Sequence, residues 1–298
     1  MSEFNLIKID GKPLEKLIDV VSKAIGRIYT PRAIRKEADA KAYEIEVIEG
    51  AKTKAYLNRQ EIKQDLLDRI DERVLYREVR KQKNIDAVTM IAAEELKNEN
   101  TISDTPVNED WTVRFFNVVE DVSDEMMQQL WGRILAGEVK SPNSFSIRTI
   151  ECLKNITKQE AELFTKVANF VFTYDNDLFI FRGDIFEELF EEYISEEYIS
   201  FDEILLLTEI GLLQANTIIG ITCKSKTEDT EMIFVCGKNI IKATKKANTI
   251  EDHIPVIALT RSGTELLKLL SIMPIESYIN SFYAYLQRKG FIVEKNFT

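Results

Sequence analysis

Apolar positions recur most regularly between residues 123 and 150. Five apolar side chains fall there at the three- and four-residue spacing of a single helix face: Met127, Leu130, Trp131, Ile134 and Leu135. Ser123 stands at the start of this pattern as an N-cap, and Gly137 stands at its end as a C-terminal stop. Because Pro142 cannot continue a helix, the pattern predicts a helix, a loop and a second helix.

A second apolar pattern lies directly before this one. Asn108 or Asp110 can cap a helix over residues 108–120, whose buried face carries Trp111 and Phe115. The two patterns together predict the core of one helical module, made of Trp111, Phe115, Met127, Leu130, Trp131, Ile134 and Leu135. An aromatic ligand site is the alternative, and we favour a core because large rings dominate the energetics of protein interiors.

The N-terminal hundred residues are rich in helix formers. Residues 14–29 form an amphipathic stripe with a mixed-charge polar face, which favours docking on the protein's own core over a membrane surface. Between Arg32 and Asn98 the one glycine is Gly50 and there is no proline, so we expect one very long helix or a hairpin folded near Gly50. A long helix with a narrow apolar seam needs a partner, which predicts a homo-oligomer assembled through residues 32–100.

The C-terminal part alternates short helices with strands. Two capping boxes, at Thr157–Glu160 and Ser200–Glu203, begin predicted helices. Four runs rich in β-branched residues predict strands, at residues 217–223, 232–236, 240–244 and 255–259. The order of helix, β-hairpin and a helix opening with L-T-x-x-G-x-E-L-L is similar to that of a winged-helix domain, although this is an analogy of element order and not a family match.

The fold class predicted from these elements is mainly α, with an α+β C-terminal part. We expect a long N-terminal helical arm over residues 1–102 and a central helix–loop–helix module over residues 103–175. A winged-helix-like domain is expected over residues 176–298, after the turn that follows the central module.

The net charge and the positions of the basic and acidic clusters bear on whether the chain binds nucleic acid, a metal ion or neither. The net charge of −11 opposes general affinity for nucleic acid, because phosphates require a basic surface. The candidate nucleic-acid contacts are the lysines of the predicted hairpin: Lys224, Lys226, Lys238, Lys242, Lys245 and Lys246. A second basic cluster is most simply a solvated helix face and consists of Arg77, Arg80, Lys81 and Lys83. Residues 184–200 hold acids and no cation, and we interpret them as a solvated helix face rather than a divalent metal site.

Candidate chemistry is scarce along the chain. Cys152, Cys223 and Cys236 lack metal-ligand spacing, and a reducing cytosol would keep Cys223 and Cys236 as thiols even across a hairpin. His253 is the single histidine and is expected in a loop without a nucleophile motif. Neither a glycine-rich phosphate loop nor a G-x-S-x-G motif occurs. The residues therefore predict no catalytic site, no cofactor and no metal.

The segment over residues 131–149 resembles the hallmark of a bacterial family, domain of unknown function 2806, in the letters W-G-R-I-L-A-G-E-V-x-S-P-x-S-F-S-x-R-T. The likeness continues more weakly upstream in I-Y-T-P-R-A-I-R-K-E-A-D-A-K-A and downstream in K-N-I-T-K-Q-E-A-E-L-F. The central helix is more loosely similar to the L-W-x-x-L-L-A helix of Abi-alpha-type abortive-infection proteins, which implies phage defence. The family name implies no reaction, cofactor or catalytic residue.

These patterns favour a cytoplasmic, non-enzymatic interaction or assembly protein with a protein partner, set in bacterial phage defence. The first alternative is a winged-helix nucleic-acid-binding protein that uses the lysine hairpin. The second is a peripheral membrane effector that uses an amphipathic helix over residues 12–30. No signal peptide opens the sequence, and no apolar run reaches the roughly 18–20 residues that span a bilayer.

Overall fold

The computed structural model describes residues 11–25, 64–99, 101–182, 199–215, 220–223, 227–249 and 252–296. The chain divides into two compact units, Met1–Ile150 and Glu151–Thr298. Helices make up the described part of the first unit, and the second combines helices with an antiparallel sheet, so the predicted α+β C-terminal part is confirmed. The domain boundaries predicted near residues 102 and 175 stay predictions.

The first unit is a bundle of amphipathic helices. They are α1 (Lys12–Ile25), α2 (Gln64–Leu96), α3 (Glu109–Val119) and α4 (Glu125–Lys140), and α5 (Ile147–Lys154) begins at the end of the unit. α2 packs along α4, and α1 packs against α2, α3 and α4. The apolar stripe of α1 is buried in this bundle through Leu14, Leu17, Val20 and Val21.

α2 has a packed half and an extended half. From Asn84 onward seven of its side chains are buried: Asn84, Ile85, Val88, Thr89, Ala92, Ala93 and Leu96. Between Asp68 and Lys83 every side chain is exposed or half-buried. The remainder of the predicted arm, residues 32–63, lies outside the described residues, so a continuous helix and a hairpin near Gly50 both stay predictions.

The direction of α2 follows from its contacts with α4. The Nε2 of Gln128 lies 3.4 Å from the Oδ1 of Asn84, and the Nζ of Lys140 lies 2.6 Å from the Oε1 of Glu99, so the two helices run parallel. The turn between α3 and α4 therefore lies beside Asn84. Because a helix rises about 1.5 Å per residue, residues 64–79 extend α2 by about 24 Å past this turn.

Local capping signals were mostly read correctly from the sequence. Asn108 accepts a hydrogen bond from the backbone N–H of Trp111 and begins α3, as one of the two predicted caps. Asp124, and not Ser123, caps α4, because its carboxylate accepts the N–H of Met127 while the Ser123 hydroxyl accepts a bond from Asn84. The two predicted capping boxes in the second unit are confirmed.

The second unit surrounds a seven-stranded antiparallel sheet in the order β3-β6-β2-β1-β4-β5-β7. The strands are β1 (Val171–Tyr174), β2 (Asp177–Phe181), β3 (Gly220–Cys223), β4 (Thr230–Cys236), β5 (Asn239–Lys245), β6 (Asp252–Ala258) and β7 (Ile292–Asn296). The helices are α6 (Lys158–Ala168), α7 (Phe201–Glu209), α8 (Arg261–Leu267) and α9 (Glu276–Arg288). Strand β1 was missed, because the spacing of its apolar residues also continues the helical pattern of α6.

The hairpin β4–β5 was expected to form the wing of a winged-helix domain. It lies instead inside the sheet, with β1 beside β4 and β7 beside β5. An aromatic core covers the inner face of these strands and includes the contact of Phe234 with Phe282, whose ring centroids are 5.0 Å apart. The side chain of Tyr278 in α9 donates a hydrogen bond of 2.9 Å to the carbonyl of Phe181 and ties the helix to the sheet.

Candidate functional site

The predicted core residues of the central module are brought together by the structure. Trp111 stacks on Phe115 with ring centroids 4.9 Å apart, and Phe115 meets Trp131 edge-on at 5.4 Å. Met127, Ile134 and Leu135 are also buried, whereas Leu130 is half-buried. The indole N–H of Trp111 donates a 2.7 Å hydrogen bond to the carbonyl of Phe145, so its one polar atom is satisfied inside the core.

The two glycines of the hallmark segment, Gly132 and Gly137, allow neighbouring side chains to pack closely against the backbone of α4. A Cβ at Gly132 would lie 2.3 Å from the Cγ2 of Ile91 in α2, and a Cβ at Gly137 would lie 2.7 Å from the ring of Phe145. The prediction that Gly137 ends the helix is therefore wrong, because α4 continues to Lys140. Gly137 is instead placed where the returning loop needs room for an aromatic ring.

The loop after α4 is held by a buried carboxylate. Glu138 is 1% exposed, and it accepts the backbone N–H of Asn143 at 2.6 Å and that of Phe145 at 3.0 Å. Asn143 has a positive φ of 71°, a conformation that asparagine tolerates better than most residues. Glu138 thus fixes the path of the S-P-N-S-F loop and brings Phe145 against Gly137.

Sequence reasoning missed Glu138, although a signal was present. The residue falls four positions after Ile134 and three after Leu135, on the apolar face of the helix. A carboxylate on a buried face requires hydrogen-bond donors, because an ionised group is costly to desolvate. The nearby loop supplies these donors through its backbone.

Two lysines of α1 contact Ser103 and Asp104, which precede α3 in the chain. The Nζ of Lys16 donates a 2.9 Å hydrogen bond to the carbonyl of Ser103, and Lys12 forms an ion pair with Asp104. The pKa of Lys16 lies below its ordinary value, because burial lowers it by more than the nearby carboxylates of Asp104 and Glu138 raise it.

The apolar side chains Leu14, Leu17, Val20 and Val21 of α1 are buried. Residues 26–30 of the amphipathic segment that was the membrane alternative lie outside the described residues, so that alternative stays a prediction. None of the helices in the described residues is both long and apolar enough to cross a bilayer.

The hairpin lysines predicted to contact nucleic acid have acidic neighbours. Lys242 lies 2.7 Å from the carboxylate of Glu231, and this hydrogen bond raises the pKa of Lys242. Lys246 lies 2.8 Å from Asp229, whose pKa is held below its ordinary value by that bond and by the backbone N–H of Ala247. The positive charge that the sequence suggested for this hairpin is thus locally balanced.

The remaining hairpin lysines do not extend the cluster. Lys245 is 7% exposed, forms an ion pair with Asp252, donates a 2.6 Å hydrogen bond to the carbonyl of Lys289 and lies over the ring of Phe291. It is therefore a structural link between β5, β6 and the end of α9. Lys238 is exposed at the β4–β5 turn, and the predicted contacts Lys224 and Lys226 lie outside the described residues.

Two members of the basic cluster on α2 contact acidic residues of the α3–α4 turn. Lys81 is hydrogen-bonded to Glu120, which raises the pKa of Lys81, and Arg80 lies 3.2 Å from Asp121. These two contacts join α2 to the turn between α3 and α4. The Nδ2 of Asn84 adds a hydrogen bond of 2.9 Å to the carbonyl of Glu120.

The groups considered for chemistry are three cysteines and one histidine. Cys152, Cys223 and Cys236 are free thiols, and burial raises the pKa of Cys236 to about 12. His253 lies in β6 and not in a loop, and its ring occupies the space where a side chain at Gly220 would stand.

No group of His, Cys, Asp and Glu within the described ranges is arranged to hold a metal ion. The acidic residues 184–197, for which a metal site was the alternative, lie outside those ranges.

The comparisons with known proteins identify a family but no activity. The family model DUF2806, described as a protein of unknown function, matches residues 68–283, which is more than half of the chain. Neither a curated protein nor a solved structure matches the chain. The matched region begins within residues 64–79 of α2, which we call the α2 extension, and it includes the Glu138 loop, the aromatic core and most of the sheet.

Proposed function

The chain belongs to the DUF2806 family, and from this premise we propose that it is a non-enzymatic interaction protein that assembles through the extended half of α2. The observation that carries the proposal is the extension itself, which reaches about 24 Å past the α3–α4 turn. Leu67 is buried, and the side chains over residues 68–83 are exposed or half-buried, so a partner that covers them would add burial to this part of the helix.

The extension exposes the kinds of side chain that protein partners use. Tyr76 is 73% exposed and Leu66 is 43% exposed. Tyrosine and arginine are enriched at the centres of protein interfaces, because they offer large contact areas with a polar end. Arg73 and Arg77 lie exposed beside Tyr76 on the same helix.

The base of the extension is fixed to the bundle. Lys81 and Arg80 contact Glu120 and Asp121, and Asn84 bonds to the backbone of the same turn. A rigid base presents the extension in a defined direction and reduces the conformational entropy that a partner must remove on binding.

Sedimentation velocity of the full-length chain over the micromolar range tests this proposal. We expect a dimer or a larger assembly, and we expect Tyr76→Ala to weaken it by about tenfold, the equivalent of roughly 1.4 kcal/mol. Val113→Ala is the matched control, because Val113 is an apolar residue that is 42% exposed on α3, away from the extension. A full-length chain that sediments as a monomer throughout this range would refute the proposal.

The biological setting that we propose is anti-phage defence, and the support for it is the looser resemblance of the α4 segment to abortive-infection proteins. A strain that carries the gene is expected to lower the plating efficiency of at least one phage from a diverse panel. The Tyr76→Ala variant should lose this protection if assembly is required for it. Equal plating of the whole panel with and without the gene would contradict this setting.

The second candidate, a winged-helix nucleic-acid-binding protein, has less support. Lys242 and Lys246 are paired with carboxylates and Lys245 is buried, so the hairpin offers few cations to phosphate. The net charge of −11 adds long-range repulsion. We therefore expect no binding of random duplex DNA by the hairpin at physiological salt.

A further inference from the structure

Helix α1 packs against α2, α3 and α4 and buries one face on them. Four apolar side chains of this face are at most 7% exposed: Leu14, Leu17, Val20 and Val21. They recur at the spacing i, i+3, i+6 and i+7, which is close to the spacing by which amphipathic helices bind grooves in partner proteins. We call the surface of α2, α3 and α4 that lies under α1 the α1 groove.

The α1 groove belongs to the family-matched region, whereas the helix that fills it does not. The DUF2806 match covers residues 68–283, which include α3, α4 and α2 from Asp68 onward. α1 ends at Ile25, before the match begins. The family description therefore includes the groove without the helix that occupies it in this chain.

The groove has contacts of its own that do not involve α1. The ring of Phe115 in α3 meets that of Trp131 in α4 at 5.4 Å. α2 packs along α4 so closely that a Cβ at Gly132 would lie 2.3 Å from the Cγ2 of Ile91. Because these contacts join the three helices to one another, release of α1 leaves the groove in place.

The polar contacts of α1 include two with a single loop. Lys12 forms an ion pair with Asp104, and these side chains are 63% and 85% exposed, so the pair contributes little stability. The Nζ of Lys16 donates its hydrogen bond to the carbonyl of the preceding residue, Ser103. The N–H of Ser103 in turn donates a 3.0 Å bond to the carbonyl of Lys140, the last residue of α4. These contacts fix the direction of the helix beside the hallmark segment, while its apolar face supplies the burial.

α1 is also too short to be stable as a helix by itself. It has 14 residues, and isolated helices shorter than about 12–15 residues are marginal in water. Its helical structure therefore depends on the groove, as it does for a peptide that folds when it binds. Short elements of this kind open locally while the rest of the domain stays folded.

We propose that the α1 groove is a binding site for an amphipathic helix of a partner protein, and that α1 is an intramolecular occupant that this helix displaces. The partner's helix carries apolar residues at the spacing of Leu14, Leu17 and Val21. It also carries a cation that contacts the carbonyl of Ser103 and the carboxylate of Asp104. The inference goes beyond the proposed function, because it concerns a different surface and holds whether or not the chain assembles through the α2 extension.

A labelled peptide of residues 11–25 is the probe, because it has the chemistry of α1. In the full-length chain, Leu17→Asp with Val21→Asp puts two carboxylates on the buried face of α1 and should release the helix. We expect fluorescence anisotropy to show that the peptide binds this variant at least about tenfold more tightly than the original chain, because α1 then no longer competes for the groove. A peptide with the same two changes should not bind.

Two controls separate release of α1 from unfolding. Glu15→Gln with Asp19→Asn changes two exposed residues of α1 and should bind the peptide as weakly as the original chain does. The Leu17→Asp, Val21→Asp variant should keep a cooperative melting transition by tryptophan fluorescence, since both tryptophans lie in the first unit. Loss of that transition would show that α1 is an integral part of the core, and the proposal would be wrong.

Hydrogen exchange tests the proposal in the original chain without any substitution. The backbone amides of Val20 and Val21 should exchange at least about tenfold faster than those of Val88 in α2 and Ile134 in α4, because α1 opens without the bundle. Equal rates would mean that α1 opens only when the whole bundle unfolds, which contradicts the proposal.

The remaining outcomes identify the occupant of the groove. If the Leu17→Asp, Val21→Asp variant binds the peptide no better than the original chain, the groove is not a helix-binding site. If this variant instead loses an assembly that the original chain forms in sedimentation velocity, α1 occupies the groove of a second copy, and the proposal of a partner's helix is overturned. Tighter peptide binding with the sedimentation behaviour unchanged is the result that supports it.

Discussion

Removing the Glu138 carboxylate tests whether the hallmark segment is structural. Glu138→Ala leaves the backbone N–H groups of Asn143 and Phe145 without their acceptor inside the first unit. Hydrogen bonds to a charged group contribute about 1.5–3 kcal/mol each, which gives about 3–6 kcal/mol for the two. Loss of the desolvation penalty of the carboxylate offsets part of this, and we expect a net destabilisation of about 3 kcal/mol.

The assay for this prediction is thermal unfolding followed by tryptophan fluorescence. Both tryptophans of the chain, Trp111 and Trp131, lie in the first unit, so their emission reports this unit alone. A loss of about 3 kcal/mol in a unit of this size should lower the melting temperature by about 6–12 °C. Glu138→Gln keeps one acceptor oxygen and should lose about half as much.

Glu72→Ala is the matched control, because Glu72 is an exposed carboxylate on α2. Its melting temperature should stay close to that of the original chain. If Glu138→Ala melts together with this control, the loop is held by other contacts, and the structural interpretation of the hallmark segment is wrong.

Three further predictions follow from burial. Trp131→Ala should destabilise the first unit by about 3–5 kcal/mol in urea unfolding, as for other large core aromatics, and an unchanged midpoint would mean that Trp131 faces a partner. Lys245→Glu should destabilise the second unit by about 3–5 kcal/mol, because a second carboxylate would be buried beside Asp252, whereas Lys242→Glu should change stability by less than about 1 kcal/mol; equal circular-dichroism melts would refute this. Cys236, whose pKa burial raises to about 12, should resist a thiol reagent near pH 8 until the chain is unfolded, and rapid labelling of the native protein at Cys236 by mass spectrometry would contradict it.

The contacts of Lys245 also limit how the nucleic-acid hypothesis can be tested. A variant that reverses Lys242, Lys245 and Lys246 together would also destabilise the second unit through Lys245, so a loss of binding would not by itself identify a phosphate contact. Reversal of Lys242 and Lys246 alone removes the exposed charges and keeps the ion pair with Asp252. This pair of changes is therefore the appropriate test of a contact between the hairpin and phosphate.

Features that depend on a few neighbouring residues were predictable from the sequence. The capping boxes at Thr157–Glu160 and Ser200–Glu203 satisfy backbone groups within one turn of helix, so four residues of sequence are sufficient to specify them. The apolar spacing of α4 and the turn between β4 and β5 are local in the same sense. The resemblance of residues 131–149 to a known family was also a property of the sequence, and the family match confirms it.

Features that depend on residues far apart in the chain were decided by tertiary structure. Gly137 carries a helix terminator's sequence signal, but it lies within α4 because the ring of Phe145 returns against it. Lys245 has the sequence context of an exposed hairpin lysine, but it is buried because Asp252 and the end of α9 supply its partners. The apolar residues of β1 fit a helix as well as a strand, and only pairing with β2 and β4 distinguishes the two. In each case the sequence specifies which group needs a neighbour, and the folded chain determines which neighbour is near enough to provide the contact.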